Sequence, residues 1–162
     1  MGVDAGLTTV EALLARQEIE TLLVDRGRAA DAKDPDAIVA LHVPGSRDTH
    51  GIFDGTIEAF AQYLRENNYR DGRYGAQRHT VSNVLIQFDG ADRAHVESYH
   101  LAYHRLVLDS GSYDVQIGGR YLDVCERRFG RWLLARRSVV YDWSRSWLVT
   151  EQPCLNHIQE ST

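Results

Sequence analysis

Four stretches decide how this chain folds: HTVSNVLIQF (residues 79–88), AHVESYHLAYHRLVL (94–108), VQIGGRYLDVCERR (115–128) and RWLLARRSVVYDWSRSW (131–147). Each is rich in β-branched and aromatic residues, and they are separated by Asp89-Gly90, Ser110-Gly111 and Phe129-Gly130, dipeptides that mark tight turns. Successive strands joined by turns this short run antiparallel. Strands this long need both twist and a covered face, so the second half of the chain predicts a strongly curved sheet wrapped around something.

That something is read from the first half. Between residues 8 and 33, Val10, Leu13, Leu14, Ile19, Leu22 and Leu23 recur at three- and four-residue intervals, which predicts one helix with these residues as its buried stripe. Thr8 or Thr9, with Glu11 nearby, suits its start, and Asp34-Pro35 interrupts it. Residues 36–42 read as a second short helix ended by Val43-Pro44-Gly45. Residues 48–53 read as a short extended piece closed by an Asp54-Gly55 turn, after which Thr56 caps a third helix bearing Ile57, Phe60 and Leu64. Helices followed by an antiparallel sheet make an α+β fold. The expectation is one domain over residues 1–162, with 150–162 a polar tail, either loose or laid over a pocket or a neighbouring subunit.

Composition narrows the function. With 43% apolar and 25% charged residues the chain has enough to bury for an ordinary globular core. A net charge of -5 argues against nucleic acid as a partner, since no excess of cations is available to displace phosphate counterions. Lys33 is the only lysine; Arg127, Arg128, Arg131, Arg136 and Arg137 make a local basic cluster. Cys125 and Cys154 show no metal-like spacing, which points to a reducing compartment. No stretch approaches the ~18–20 apolar residues that span a bilayer, and residues 1–9 lack the pattern of a leader, so the expected location is the cytoplasm with no membrane partner.

Strand alternation then groups the reactive residues. Along 94–108, Ala94, Val96, Ser98, His100, Ala102 and His104 share one face. Small residues beside imidazoles leave room that a close-packed core would fill. Along 115–128, Ile117, Gly119, Tyr121 and Asp123 share a face; on the last strand Arg137, Val139, Tyr141 and Trp143 do. An apolar cavity furnished with His, Arg, Tyr and Asp is suited to a small molecule. His100 and His104 also point the same way, although ~13 Å between their Cα atoms is long for two ligands of one metal. Asp31, near the end of the first helix, and His79, after Arg78 at the mouth of a strand, form a general-base pair if the fold brings them together.

The initial helix ending near Asp31, the segment Asp-Thr-His-Gly-Ile-Phe-Asp-Gly at 48–55, Arg78-His79, Gly118-Gly119-Arg120-Tyr121 and the run from Glu126 to Trp132 together resemble the SnoaL-like branch of the NTF2-like superfamily, over roughly residues 12–147. That branch includes scytalone dehydratase, hexachlorocyclohexane dehydrochlorinase and bile-acid 7α-dehydratase. The resemblance implies a cone-shaped α+β barrel, with the N-terminal helices packed in a mixed or antiparallel sheet, and a lyase that needs no cofactor or metal. It places catalytic roles on Asp31, His79 and Arg137, and pocket-lining roles on Arg26, His100, Ala102, Ile117, Tyr121, Val139 and Tyr141. Arg26 and Gly27 occupy the region where some dehydratases carry a Tyr, and His100 stands where the dehydrochlorinase is apolar.

The leading expectation is therefore a cofactor-independent lyase that eliminates water, a halide or a small carbon fragment from a hydrophobic aromatic or polycyclic molecule. Two readings stay open beside it: an isomerase or cyclase using the same base, and a non-catalytic small subunit or binding module of the same fold. An open curved sheet leaves its convex face uncovered, so a homo-oligomer, dimer or trimer, is expected, with Val124, Leu134 and Val140 as candidate contacts.

Overall fold

Thr8 starts the first helix as a capping box: its hydroxyl accepts the Glu11 backbone N–H, and the Glu11 carboxylate accepts the Thr8 N–H at 2.9 Å. The computed structural model describes residues 7–51 and 53–150. From this cap α1 (Thr9–Asp31) runs along the inside of the sheet. Its buried stripe is Ala12, Ala15, Ile19, Leu22, Leu23 and Arg26. Val10, Leu13 and Leu14, expected inside, are exposed. Ala12 and Ala15 hold the inward positions there instead. Lys33 turns the chain in a left-handed conformation (φ 56°), and Asp34 then caps α2 (Pro35–Ala40) by accepting the N–H groups of Asp36 and Ala37.

The expected second helix stops at Ala40, and β1 (His42–His50) begins where a helix end and loop were predicted. The end of the strand, Asp48–His50, falls within the extended piece expected over 48–53; its first part escaped detection because the buried side chains there, His42 and Ser46, are polar, so no apolar alternation marks it. The hairpin turn is at Gly51 (φ 64°), two residues before Phe53. Asp54 and Gly55, predicted as a turn, lie inside β2 (Phe53–Thr56), paired with Thr49 and Asp48. Thr56 caps α3 (Ile57–Tyr63), which continues as a π turn over Leu64–Asn68.

Four long strands follow: β3 (Tyr74–Phe88), β4 (Arg93–Leu108), β5 (Gly111–Arg128) and β6 (Arg131–Leu148). The sheet order is β2-β1-β6-β5-β4-β3, antiparallel throughout except for the parallel β1–β6 pair. This six-stranded mixed sheet is open, and it curves around the helices as the α+β cone the sequence implies. β1 and β3 sit near opposite ends of the order, yet residues from both line one cavity, which requires that curvature.

Two β-bulges on β6 set which residues face inward. Val124 pairs Arg136 while Cys125 pairs Leu134, leaving Ala135 extra. Gly118 pairs Trp143 while Gly119 pairs Tyr141, leaving Asp142 extra. The first bulge puts both Leu134 and Arg137 inside, so Leu134, expected on the outer face, is wholly buried. The second turns Trp143 outward, away from the face expected for it. It packs on the outer side of Gly118, where a Cβ would lie 2.3 Å from its ring.

The core has two centres. Ile19, Leu22 and Leu23 meet Ile86, Val96, Cys125, Trp132 and Leu134 at one end of α1; Ala29, Ala30, Ile38, Ile57, Phe60 and Leu64 gather at the other. Each fully buried aliphatic side chain contributes about 1.5–3 kcal/mol. Among the described residues no helix is long and apolar enough to cross a membrane. The expectations for the tail beyond 150, for Cys154 and for the first six residues lie outside the described residues.

Candidate functional site

The cavity sits between the C-terminal half of α1, α3 and the inner face of the sheet, and encloses about 240 Å³. Its walls are built from residues that strand alternation sends inward.

On one side His79 enters from β3 and meets Asp31, the last residue of α1. His79 Nδ1–H donates to Asp31 Oδ1 at 2.7 Å, and the His79 backbone N–H donates to Oδ2 at 3.3 Å. Both carboxylate oxygens are therefore committed to one residue, which fixes the ring and leaves Nε2 unprotonated. Burial holds the His79 pKa below the usual imidazole range, with the Asp31 carboxylate pulling it partly back. The ring is thus neutral at pH 7 and able to accept a proton. The imidazolium that would form is favoured by Asp31 and by the negative end of the α1 dipole.

Gln77 braces this corner. Its side-chain N–H donates to the Ala30 carbonyl at 2.8 Å, and its Oε1 accepts His104 Nδ1–H at 3.2 Å. His104 stands edge-on to His79, with ring centroids 5.2 Å apart, and edge-on to Tyr74. Burial lowers the His104 pKa to about 4, so it too is neutral.

The far wall carries Arg137, Tyr121 and His100. Asp123 binds the Arg137 guanidinium at both ends, at 2.9 and 2.7 Å. Arg137 lies over the Tyr121 ring at 4.0 Å, and Tyr121 stacks on His100 with centroids 4.4 Å apart. His100 fits only because Gly119 carries no side chain: a Cβ there would lie 2.9 Å from its Nε2. Burial brings the His100 pKa down to about 4, against the opposing pull of the Val140 carbonyl. His100 and His104 are thus engaged by different neighbours. Tyr141, whose pKa burial raises to about 12, remains a protonated donor beside them.

A third group joins Arg26, expected at the pocket, to His42, Asp48 and His50, to which the sequence assigned no role. Arg26, on α1, donates through Nε–H to His42 Nε2 at 3.3 Å and stands 3.8 Å from Asp48. Asp48 is fully buried and faces His50, Oδ1 to Nδ1, at 3.5 Å. Burial opposes the Asp48 charge, but His50, Arg26 and Arg137 together hold its pKa below the usual carboxylate range. Burial pushes His42 down to about 2, so it accepts from Arg26 as a neutral ring. Asp48 and His50 are two apart on one strand and so share a face; that spacing was the available signal.

Arg26, His100, Ala102, Ile117, Tyr121, Val139 and Tyr141 all line the cavity, as do His79 and Arg137. Asp31 stands behind His79 instead of at the wall. Of the residues the sequence did not nominate, His50, Phe60, Tyr63, Tyr69 and Tyr74 also line it, giving the chamber an aromatic rim toward α3.

Residues 11–138 match the SnoaL-like domain family. Among solved structures, the chain is similar to a candidate scytalone dehydratase from Novosphingobium aromaticivorans DSM 12444 (24% identity, TM-score 0.75, covering 88% of this chain and 94% of that one). It is also similar to hexachlorocyclohexane dehydrochlorinase LinA-type3 from Novosphingobium barchaimii LL02 (21%, 0.76, 90% and 100%) and to the Kfla4162 protein from Kribbella flavida (21%, 0.73, 83% and 95%). Identities this low speak to the shared fold. No curated protein matches the chain by sequence.

Proposed function

The chain belongs to the SnoaL-like domain family, and from that premise we propose that it is a cofactor-independent lyase whose His79–Asp31 pair removes a proton from a hydrophobic small molecule so that a neighbouring group can leave. One observation carries the reading: His79 is anchored through Nδ1, neutral, and lines an aromatic cavity. A positioned base of this kind contributes on the order of 10²–10⁴-fold, and orientation in the cavity supplies more. Two structures that share the fold carry the names of elimination enzymes, a candidate scytalone dehydratase and a hexachlorocyclohexane dehydrochlorinase, which supports this reading.

Charge that builds on the substrate as the proton departs meets Arg26 and the Tyr141 hydroxyl, both on the cavity wall. The Arg137 charge is matched by Asp123, so its role in this scheme is positioning: it holds the Tyr121 face against which His100 and the substrate pack. A cavity of about 240 Å³ is smaller than the ~300–1,000 Å³ of drug-sized sites, which favours an aromatic substrate of one or two rings over a larger polycycle.

The test is incubation of wild type and His79→Ala with hydrophobic alcohols, halides and aryl ketones in D₂O, read by mass spectrometry. Loss of a group by wild type alone supports the lyase. Deuterium uptake without group loss replaces it with an isomerase on the same base, and equal chemistry in both proteins sinks the His79 assignment.

A further inference from the structure

The cavity holds a second histidine–aspartate pair, and we propose that His50, backed by Asp48, is the proton donor to the leaving group, which makes that group a hydroxyl. This rests on the lyase reading above and narrows its substrate class to hydrophobic alcohols whose C–H is acidified, such as β-hydroxy ketones.

The geometry is specific. His50 comes from β1 and His79 from β3, near opposite ends of the sheet order, and curvature brings both imidazoles to one chamber. His50 is held flat against Phe60, with centroids 5.0 Å apart, and edge-on to Tyr141. Its Nδ1 faces Asp48 at 3.5 Å, which turns Nε2 away from the carboxylate. Asp48 Oδ1 and Oδ2 and His50 Nδ1 are shut off from solvent and, among the described residues, make no well-formed hydrogen bond. The Arg26 guanidinium, 3.8 Å away, offsets part of the cost of burying this carboxylate but leaves its oxygens without a hydrogen bond. A proton on His50 supplies one and draws the 3.5 Å contact into a charge-assisted hydrogen bond.

The charged and titratable groups around His50 are Asp48 from β1, Arg26 from α1, Tyr63 from α3, Tyr69 beyond it, Tyr74 and His79 from β3, His100 and His104 from β4, and Arg137 and Tyr141 from β6. Asp48 alone among them is an anion. The two pairs differ in geometry: Asp31 is already committed to His79 by a 2.7 Å hydrogen bond, whereas the Asp48 carboxylate beside His50 is still open to one.

The step balances without a co-reactant. His79 Nε2 takes the proton from carbon, and the C–H electron pair becomes the new π bond. The neighbouring C–O bond breaks with its electrons on oxygen, and His50 Nε2–H protonates that oxygen, which departs as water. His79 ends one proton richer and His50 one poorer; exchange with water resets both. A departing chloride needs no such proton.

Two measurements decide the matter. In ¹⁵N-histidine-labelled full-length protein at pH 7, with the His50 signal assigned by its loss in His50→Gln, the long-range ¹H–¹⁵N pattern should show His50 doubly protonated in wild type and neutral in Asp48→Asn. His79 should be neutral in both. A neutral wild-type His50, or one indifferent to Asp48→Asn, overturns the proposal. Second, 4-hydroxy-4-phenylbutan-2-one and its 4-chloro analogue are compared as probes. His50→Gln should lower the hydroxyl-to-chloride rate ratio by on the order of 10², whereas His79→Gln lowers both rates and leaves the ratio within a few-fold. Equal losses on both probes in His50→Gln assign His50 a structural role and overturn the proposal. Wild type inert to both probes counts against the elimination reading alone, because the protonation result stands without turnover.

Discussion

Arg137 and Asp123 hold one another by two parallel hydrogen bonds, Nε–H to Oδ1 at 2.9 Å and Nη2–H to Oδ2 at 2.7 Å, with both side chains almost wholly removed from water. Breaking such a pair strands a buried charge. Asp123→Ala should cost about 3–5 kcal/mol in urea unfolding, because Arg137 would be left uncompensated. At about 2–4 °C per kcal/mol for a chain this size, the midpoint should fall by on the order of 10 °C. The double variant Asp123→Leu with Arg137→Met removes both charges and should recover most of that loss; a double variant as unstable as the single one would refute the account.

Asp31 should tune the acid limb of activity. His79 acts as base only when unprotonated, so activity falls as pH drops through its pKa, which burial sets below the usual 6.5. Asp31 pulls that pKa upward. Asp31→Asn should therefore shift the acid limb to lower pH while reducing the maximal rate, and His79→Gln should remove about 10²–10⁴-fold at all pH values. A limb that moves to higher pH in Asp31→Asn would contradict the assignment.

Acid should destabilise this protein before its carboxylates titrate. His42, His100 and His104 have folded pKa values lowered to about 2, 4 and 4, against 6.5 unfolded. Above 6.5 both states are neutral and nothing is lost. Below it the unfolded chain binds protons that the folded one refuses, so stability declines as pH falls from 6.5 toward 4, by about 1.4 kcal/mol per pH unit for each such group. Urea midpoints measured from pH 7.5 to 4.5 should be flat and then drop; a flat profile down to 4.5 would remove the claim that these rings are buried neutral.

Two adjacent glycines should respond differently to alanine. At Gly119 a Cβ would lie 2.0 Å from the Val140 carbonyl oxygen and 2.9 Å from His100 Nε2, so backbone must move and His100 with it. At Gly118 the obstacle is the half-exposed Trp143 ring, which can swing into solvent. Gly119→Ala should reach or exceed the upper end of the ~1–3 kcal/mol typical of overpacking and disturb substrate binding, while Gly118→Ala should cost less and spare activity. Circular dichroism melts with binding titrations would separate the two.

Self-association is expected through the outer sheet face, where Tyr99, Leu101, Leu122, Trp143 and Trp147 remain exposed. Light scattering at micromolar concentration should give a dimer or trimer, and Leu101→Glu should shift it toward monomer without loss of secondary structure. A wild-type monomer at that concentration would refute this.

The long strands were legible because turn glycines and β-rich runs are local signals, and β4 kept its period-two alternation from Ala94 to Ala102. β1 was legible only at its end, Asp48–His50, because its earlier inward positions, His42 and Ser46, are polar. The start of the helix stripe was hard to read because large apolar residues outrank alanine in any periodicity count, while the inward positions there are Ala12 and Ala15. Asp31 and His79 could be nominated as a pair, and their contact is visible only in the fold, 48 residues apart in sequence. The Asp123 partner of Arg137 escaped notice because pairing across strands depends on register, and register on a bulge.

That bulge at Ala135 makes β6 unforgiving of changes in length. On one side of it the strand supplies Trp132 and Leu134 to the hydrophobic interior; on the other it supplies Arg137, Val139 and Tyr141 to the chamber. Substitutions on either side can accumulate independently, since neither group alters which way the other points. Removing a single residue between them would reverse one whole group at once, trading either the interior or the chamber for solvent. Variation in this segment is thus graded in side-chain identity and all-or-none in residue count.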